Sequence, residues 1–240
     1  SADNYHVADP YLKWSVAQDA VNQGAAVVVA SVKMARDLGV PEEKWVYPLT
    51  GADAVDKLVI HRQHLGRSDM MSSTITQCLA SAGVKVDDIA HMDLYSCFPC
   101  AAHFACDALG IDPLVRQVTQ TGGLAFFGGA GNNYTLHAIA NLVTTLRSDP
   151  GSLGLIVANG GYLSKASAGL YSTDQRDGWH PVNNSELQAR LNTIPEVSIA
   201  DAPSGGRIES YGVLFQQNEP TMGYVLARTP DGDRFAAKTE

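Results

Sequence analysis

A glycine-rich stretch that runs directly into a helical pattern places the strongest constraint on how this chain can fold. Residues 121–137 read Thr-Gly-Gly-Leu-Ala-Phe-Phe-Gly-Gly-Ala-Gly-Asn-Asn-Tyr-Thr-Leu-His, with five glycines within ten residues. Glycine is used where φ must be positive or where another group approaches the backbone closely. A helix that follows such a loop has unpaired amides in its first turn, and these attract an anionic or carbonyl oxygen. The stretch therefore predicts either a purely structural turn between strand and helix or a loop that also holds a ligand oxygen.

The residues after this loop repeat at helical spacing. We predict that Asn132 or Asn133 caps the helix, since a side-chain oxygen at that position can accept from a free amide. Spacing of about 3.6 residues then predicts its buried face. The residues of that face are Leu136, Ile139, Ala140, Val143 and Leu146.

Composition narrows the class of protein. The chain has 240 residues, 45% of them hydrophobic, and a net charge of −8, which suits one or two globular domains and argues against a nucleic-acid or anionic-membrane partner. No apolar run approaches the roughly 20 residues that span a bilayer, and no signal segment opens the chain. Four cysteines in a chain of this size do not make a disulfide framework. We predict a cytoplasmic protein, and we expect it to be part of a longer chain because both ends interrupt a pattern.

The order of predicted elements is strand, helix, strand, helix, strand, strand, which is typical of an α/β layered domain. Residues 1–13 are predicted as an extended lead-in and residues 51–69 as a solvated loop. The predicted strands are Val27–Ala30, Trp45–Leu49, Ile89–Leu94, Leu153–Ala158 and Ala166–Ser172. The predicted helices are Val32–Leu38, Asp69–Ala82 and a helix that starts near Pro99 and ends at Leu109.

The composition changes at Thr173. A short helix is predicted at Ser185–Leu191, and three strands follow near Ile208–Gln216, Gly223–Arg228 and Arg234–Ala237. We therefore divide the chain into residues 1–172 and residues 173–240, the second being the start of a small β domain.

Cysteines cluster around residues 97–106. Cys97-Phe-Pro-Cys100 has the spacing of a redox dithiol. Adding His103 and Cys106 gives four potential metal ligands, but they share one predicted helix, whereas a tetrahedral zinc site normally draws its ligands from two segments. We predict no metal site and small buried thiols, with a redox pair at Cys97 and Cys100 as the alternative.

Four polar groups are predicted near one edge of the sheet, where α/β proteins bind ligands. Tyr95 follows a strand, and Tyr134 lies in the first turn of the helix after the glycine loop, so either phenol could exchange a proton with a ligand. His137 lies at the edge of the apolar face of that helix. Asn159 and Gly160 follow a buried strand. Each of these residues also has a plain structural interpretation: packing, a core hydrogen bond or a hairpin turn.

Several motifs together resemble the thiolase superfamily. Asp93-Leu-Tyr-Ser-Cys-Phe98 resembles the Asn-Glu-Ala-Phe segment of thiolases, and more closely the His-Asp-Cys-Phe version of sterol-carrier-type thiolases. Gly122–Ala130 resembles their Gly-Gly-x-x-x-x-Gly-His-Pro loop, and Ala158–Gly161 their Cys-x-Gly-Gly turn. Asn22–Ser31 is similar to the strand that opens the second thiolase half. The resemblance covers roughly residues 10–172, and the segment after it resembles an extra C-terminal β domain of some acetyl-CoA acetyltransferases and thiolase-like proteins.

This resemblance implies a thiolase-like C-terminal domain and acyltransfer on acyl-CoA, with coenzyme A as part of the substrate, no other cofactor, and a homodimer. The motifs also depart from the family. Gly129 stands where thiolases have their loop histidine, Ala158 where they have the second cysteine, and Tyr95 where they have the Asn or His of the oxyanion hole. The nucleophilic cysteine belongs to the first half of a thiolase, which this chain lacks. An activated thiolate needs a neighbouring base or cation, so this half does not supply ordinary thiolase chemistry.

Three hypotheses follow from the resemblance and its departures. The first is an acyltransferase of the acetyl-CoA acetyltransferase type, and the second is a non-catalytic acyl-CoA-binding or scaffold subunit. The third is a retro-aldolase on hydroxyacyl-CoA steroid side chains, with a small OB-fold partner. The predicted catalytic residues are Tyr95, Tyr134 and His137. The predicted substrate-binding residues are Cys97, Gly128, Gly129, Gly131, Asn132, Asn159 and Gly160.

Overall fold

The structure, a computed structural model, describes residues 3–239 and contains two β-sheets flanked by helices. Residues 1, 2 and 240, at the ends of the predicted ranges, lie outside the described residues. The strands are β1 (His6–Ala8), β2 (Tyr11–Leu12), β3 (Tyr47–Val55), β4 (Ile89–Leu94), β5 (Leu153–Gly160), β6 (Lys165–Ser172), β7 (Arg207–Gln216), β8 (Glu219–Arg228) and β9 (Arg234–Lys238). The α-helices are α1 (Val32–Asp37), α2 (Asp69–Ser81), α3 (Pro99–Leu109), α4 (Tyr134–Ser148) and α5 (Asn184–Asn192).

The first sheet has the strand order β3-β6-β5-β4, in which β5 runs antiparallel to β6 and parallel to β4. Its two faces are covered by different helices, because successive side chains of a strand point to opposite faces. Leu155 and Val157 of β5 pack in a core with α2, α3 and α5. Ile156, between them, packs against α4. The predicted α/β fold is therefore confirmed.

Residues that start and end helices explain why α2 and α3 form where the sequence predicts them. Ser68 caps α2 by accepting from the amide of Met71 at 3.2 Å. Pro99 occupies the first turn of α3, where its missing N–H costs nothing, and Gly110 ends that helix in the left-handed conformation.

The predicted extended lead-in at residues 1–13 contains two strands that the prediction missed, since His6–Ala8 and Tyr11–Leu12 form β1 and β2. Ala8 pairs with Leu214 of β7, and the second sheet has the order β2-β1-β7-β8-β9. Leu187 and Leu191 of α5, by contrast, pack into the core of the first sheet. The division at residues 172 and 173 stays a prediction.

The strand predicted at Val27–Ala30 was also wrong. This segment has no regular secondary structure, and Val28 and Val29 are 96% and 85% exposed. A strand forms only where a neighbouring strand can pair with its backbone groups. In the described part of the chain no strand lies beside this segment, so its apolar residues remain in water.

The predicted loop at residues 51–69 begins too early, since β3 continues to Val55. This edge strand is covered by polar side chains of α5 in place of a further strand. Gln188 accepts from the Val55 amide at 2.9 Å and donates to the Val55 carbonyl at 3.0 Å, and Asn184 accepts from the Asp53 amide at 3.2 Å. These contacts satisfy groups that an open edge would leave free for aggregation.

A buried arginine joins the second sheet to the segment that follows β3. Arg234 of β9 is fully buried. It donates to Glu209 at 2.6 Å and to the carbonyls of Ile60 and Arg62 at 2.9 and 2.6 Å. The hydrogen bond from Arg234 is the main reason why the pKa of Glu209 lies below its usual value. In residues 3–239, no helix is both long and apolar enough to cross a membrane.

We expect Arg234→Ala to lower the free energy of unfolding by about 3 kcal/mol, because it breaks a buried hydrogen-bond network and leaves the carbonyls of Ile60 and Arg62 without this donor. Urea denaturation measures this loss. Arg207→Ala, at an exposed arginine of β7, is the matched control and is expected to change the value by less than about 0.5 kcal/mol. Equal stability of the two variants would contradict this role for Arg234.

Candidate functional site

The candidate site lies at the carboxyl ends of β4 and β5. Leu94 pairs with Val157 in parallel register, so the residues that follow the two strands emerge side by side. The Tyr95 amide donates to the Val157 carbonyl at 3.0 Å. Two residues further on, the Cys97 thiol donates to Oδ1 of Asn159 at 3.7 Å. The structure thus brings together two of the predicted site residues, Cys97 and Asn159.

Asn159 leaves a hydrogen-bond donor free at this point. Its Nδ2 is buried and has no hydrogen-bond partner among the described residues. A buried amide without a partner is destabilising, so it gains by binding an acceptor. Beside it, burial raises the pKa of the Cys97 thiol. The site therefore presents one free N–H donor, which suits a carbonyl oxygen, next to a thiol that is protonated and donates to the same Asn159 side chain.

A buried carboxylate organises the backbone around the site. Asp93, in β4, accepts at one oxygen from the Thr119 hydroxyl at 2.9 Å and from the Gln120 and Thr121 amides at 2.8 and 3.2 Å. Its other oxygen accepts from the Tyr134 hydroxyl at 3.1 Å. Among residues 3–239 no cation pairs with it, so these hydrogen bonds compensate the cost of its burial.

Tyr134 belongs to this buried network. Its hydroxyl also lies 2.6 Å from Oγ1 of Thr121, and its ring meets the Tyr95 ring edge-on with centroids 5.3 Å apart. Burial, and then the charge of Asp93, raises the pKa of Tyr134. Its hydroxyl is already engaged, and so its predicted catalytic role would require these bonds to break.

Tyr95 is placed differently. It is half-buried, and burial followed by the nearby Cys97 raises its pKa. No hydrogen bond to its hydroxyl is present in the described part of the chain. Tyr95 is therefore the phenol of the pair that is free to reach a ligand, while Tyr134 supports its ring.

The glycine loop is covered by an earlier segment of the same chain. The Gly129 amide donates to the Gln18 carbonyl at 2.7 Å, and Gln23 donates to the Phe127 carbonyl at 2.6 Å. A Cβ on Gly128 would lie 2.7 Å from Oε1 of Gln23. Close approach of residues 17–23 thus explains these glycines. The expectation that the loop presents free amides does not hold for Gly129, whose N–H is already bonded.

The start of α4 also differs from the prediction. Asn133 occupies the cap position without a side-chain cap, because its amide group exchanges hydrogen bonds of 2.7 and 3.0 Å with the backbone of Ala25. Gly131 and Asn132 are exposed. Of the predicted stripe, Leu146 is fully buried and Ile139 packs against the core, while Leu136, Ala140 and Val143 are half-buried. The buried residues of α4 are Tyr134, Ala138, Leu142 and Leu146.

His137 packs against Phe127, with ring centroids 5.2 Å apart, and its Nε2 is buried without a partner among the described residues. The four cysteines are free thiols, and Cys78 and Cys106 are buried. Burial, and then the hydrogen bond with Cys100, raises the pKa of Tyr11 of β2 to about 12. No three His, Cys, Asp or Glu side chains within residues 3–239 are grouped so that they could hold a metal ion. The roles assigned to His137, Gly128, Gly131, Asn132 and Gly160 stay predictions.

Asp93, Thr121 and Gln23 were not among the predicted site residues. A carboxylate inside an apolar strand was the signal that could have identified Asp93, because a charge is buried only where donors surround it. Thr121 and Gln23 carry no comparable signal, since their contacts join segments far apart in the chain.

A scan against protein-family models finds no match, and a search of curated proteins finds none. Among solved structures, the chain is similar to one described as a monomeric SCP2-thiolase-like protein type 1 from Mycobacterium smegmatis, with 43% sequence identity and a TM-score of 0.92. The match covers 99% of this chain and 52% of that one, so this chain spans about half the length of that protein. The chain therefore has an SCP2-thiolase-like fold.

We expect Asp93→Asn to lower the free energy of unfolding by about 1–3 kcal/mol. The NH₂ group of asparagine would face at least one hydrogen-bond donor from which the carboxylate now accepts. Chemical denaturation of purified protein measures the change. Asp107→Asn, at an exposed aspartate of α3, serves as the control and is expected to be neutral. If both variants unfold at the same denaturant concentration, the Asp93 network does not stabilise this region.

Alkylation tests the state of Cys97. Only the thiolate reacts, and burial raises the pKa of Cys97. We therefore expect slow modification by iodoacetamide at neutral pH and a rate that rises through a midpoint above that of an ordinary peptide cysteine. A Cys100→Ser variant, in which Cys97 is the remaining half-exposed cysteine, allows the pH profile to be measured by mass spectrometry. A midpoint at or below the peptide value would contradict a protonated Cys97 in the folded protein.

Proposed function

We propose that this chain is part of a thiolase-like acyltransferase that acts on acyl-CoA thioesters and makes or breaks a carbon–carbon bond. The observation that carries the proposal is the unpaired buried amide of Asn159 beside the Cys97 thiol, where β4 and β5 end. The SCP2-thiolase-like fold supports it. Because the chain spans about half of the similar protein, the activity is proposed for a whole protein with both halves.

In this proposal, the thioester carbonyl oxygen accepts a hydrogen bond from Nδ2 of Asn159. Negative charge develops on that oxygen when an enolate or a tetrahedral intermediate forms. A fixed donor, shielded from water, stabilises that charge more strongly than bulk solvent does. The Cys97 thiol donates a hydrogen bond to Oδ1 of Asn159. This bond fixes the orientation of the side-chain amide and leaves Nδ2 as its free donor.

Tyr95 would act as the proton donor, because the Cys97 thiol already donates to Asn159. The pKa of Tyr95 is raised by burial, and so this residue carries its proton at neutral pH. A general acid needs its proton at the working pH and a position next to the reacting group. The base or nucleophile would come from the part of the whole protein outside this chain, since Gly129 and Ala158 stand where thiolases have a histidine and a cysteine.

A second candidate is a non-catalytic acyl-CoA-binding subunit. It is favoured by Gly129, whose amide is engaged by Gln18 and which has no side chain to activate a nucleophile. Binding of acyl-CoA without turnover would identify this function, and release of an aldehyde or ketone from a hydroxyacyl-CoA would identify the retro-aldolase. From its composition we propose a cytoplasmic protein. The resemblance to thiolases leads us to propose a homodimer or a complex with a small OB-fold partner, which sedimentation would test.

We expect Asn159→Ala in the whole protein to lower kcat/KM for acyl-CoA substrates by about 10²-fold, as loss of one oxyanion donor does in other enzymes. The affinity for free coenzyme A, which has no thioester carbonyl, is expected to stay unchanged. Asn141→Ala, at an exposed asparagine of α4, is the matched control. An Asn159→Ala enzyme with full activity would refute the proposed site.

A further inference from the structure

The turn between β5 and β6 contains a strained tyrosine beside the proposed site. Gly161, Tyr162 and Leu163 have φ values of 57°, 56° and 61°, so three consecutive residues lie in the left-handed region. Residues other than glycine, Asn and Asp rarely adopt this conformation, because Cβ then approaches the backbone carbonyl. Hairpin loops of this length are most often built around a right-handed type I turn. The sequence therefore maintains an unfavourable backbone conformation here.

Contacts within the protein compensate the strain at two of the three positions. Gly161 has no side chain to strain, and a Cβ there would lie 2.5 Å from the Ser164 hydroxyl oxygen. Leu163 packs against the core of the first sheet, and its carbonyl accepts from Arg62 at 2.9 Å. The structure thus explains why Gly161 and Leu163 occupy this turn.

Tyr162 has no such compensation. Its side chain is 95% exposed, and within residues 3–239 it makes no hydrogen bond or ring contact. The turn between β7 and β8 also contains positive φ values, but there they have a structural reason. Gln217 and Asn218 form a tight two-residue turn, which requires positive φ. Asn218 also accepts a hydrogen bond from the His6 amide at 2.9 Å. Glycine would remove the strain at position 162 without losing any contact seen in the folded chain.

We propose that Tyr162 is a ligand-contacting residue at the rim of the Cys97–Asn159 site, where its ring packs against the apolar chain that flanks the thioester. Strained residues persist at ligand-binding sites when function requires the side chain. Tyr162 lies three residues after Asn159, in the turn that follows β5. A thioester held by Asn159 would extend its acyl group and its pantetheine arm in opposite directions, and each presents an alkyl chain that an aromatic face can cover. The inference rests on the proposed function and names a further binding residue for it.

The test uses the whole protein and compares Tyr162→Ala with Tyr162→Gly. Both variants lose the ring, but only glycine also relieves the backbone strain. We expect both to weaken octanoyl-CoA binding about tenfold, in the range of a contacting aromatic residue. Only Tyr162→Gly is expected to raise the melting temperature, by about 2 °C. Tyr211→Ala, at an exposed tyrosine of β7, is the control and should change neither quantity.

Binding of acetyl-CoA, octanoyl-CoA and free coenzyme A distinguishes contact with the acyl chain from contact with the pantetheine arm. A loss confined to octanoyl-CoA assigns the ring to the acyl chain, and an equal loss for all three assigns it to the pantetheine arm; either result supports the proposal. Unchanged binding in both variants, with the wild-type protein binding normally, overturns it and leaves the proposed function intact. Full affinity in Tyr162→Gly alone, or no gain in its melting temperature, also overturns it. A wild-type protein that binds none of the three overturns both proposals.

Discussion

The parallel pairing of β4 with β5 is the constraint on which the rest of the site depends. Parallel neighbours end at the same edge of a sheet, so the chain emerges from both at one place. The pairing of Leu94 with Val157 fixes which residues meet there. A shift of one residue would turn each side chain to the other face of the sheet and would separate Cys97 from Asn159.

Two further contacts hold this arrangement. Asp93 joins the end of β4 to the turn before the glycine loop and to the start of α4, so one carboxylate positions three elements. Residues 17–25 then lie along the glycine loop through Gln18, Gln23 and Ala25. The Cys97 carbonyl also accepts from the Ala17 amide at 2.9 Å, which places this segment directly beside the site. The free amide nitrogen of Asn159 is buried here, and a hydrogen bond is stronger in a buried position than in water.

Sequence patterns predicted most of the fold because the helices and strands of the first sheet carry local signals. Pro99 and Gly110 mark the ends of α3, and the apolar run of β5 marks a buried strand. The failures arise where a distant partner decides the outcome. Residues 6–12 form strands because β7 lies beside them, and Val28 has no partner strand in the described part of the chain. At the site, Tyr95 and Asn159 were identified from their positions at strand ends, and Cys97 from its motif. Gln23 and Thr121 could not be identified, since their contacts with Phe127 and Asp93 cross 104 and 28 residues of the chain.

The role proposed for Asn159 is to donate a hydrogen bond to a thioester carbonyl. Isotope-edited infrared spectroscopy of a ¹³C-carbonyl acyl-CoA bound to the whole protein measures this bond directly, because a hydrogen bond weakens the C=O bond and lowers its stretching frequency. We expect a lower frequency in the complex than in water, and loss of that shift when Asn159 is replaced by alanine. A carbonyl frequency in the complex equal to that in water, or one that Asn159→Ala leaves unchanged, would contradict this role for Asn159.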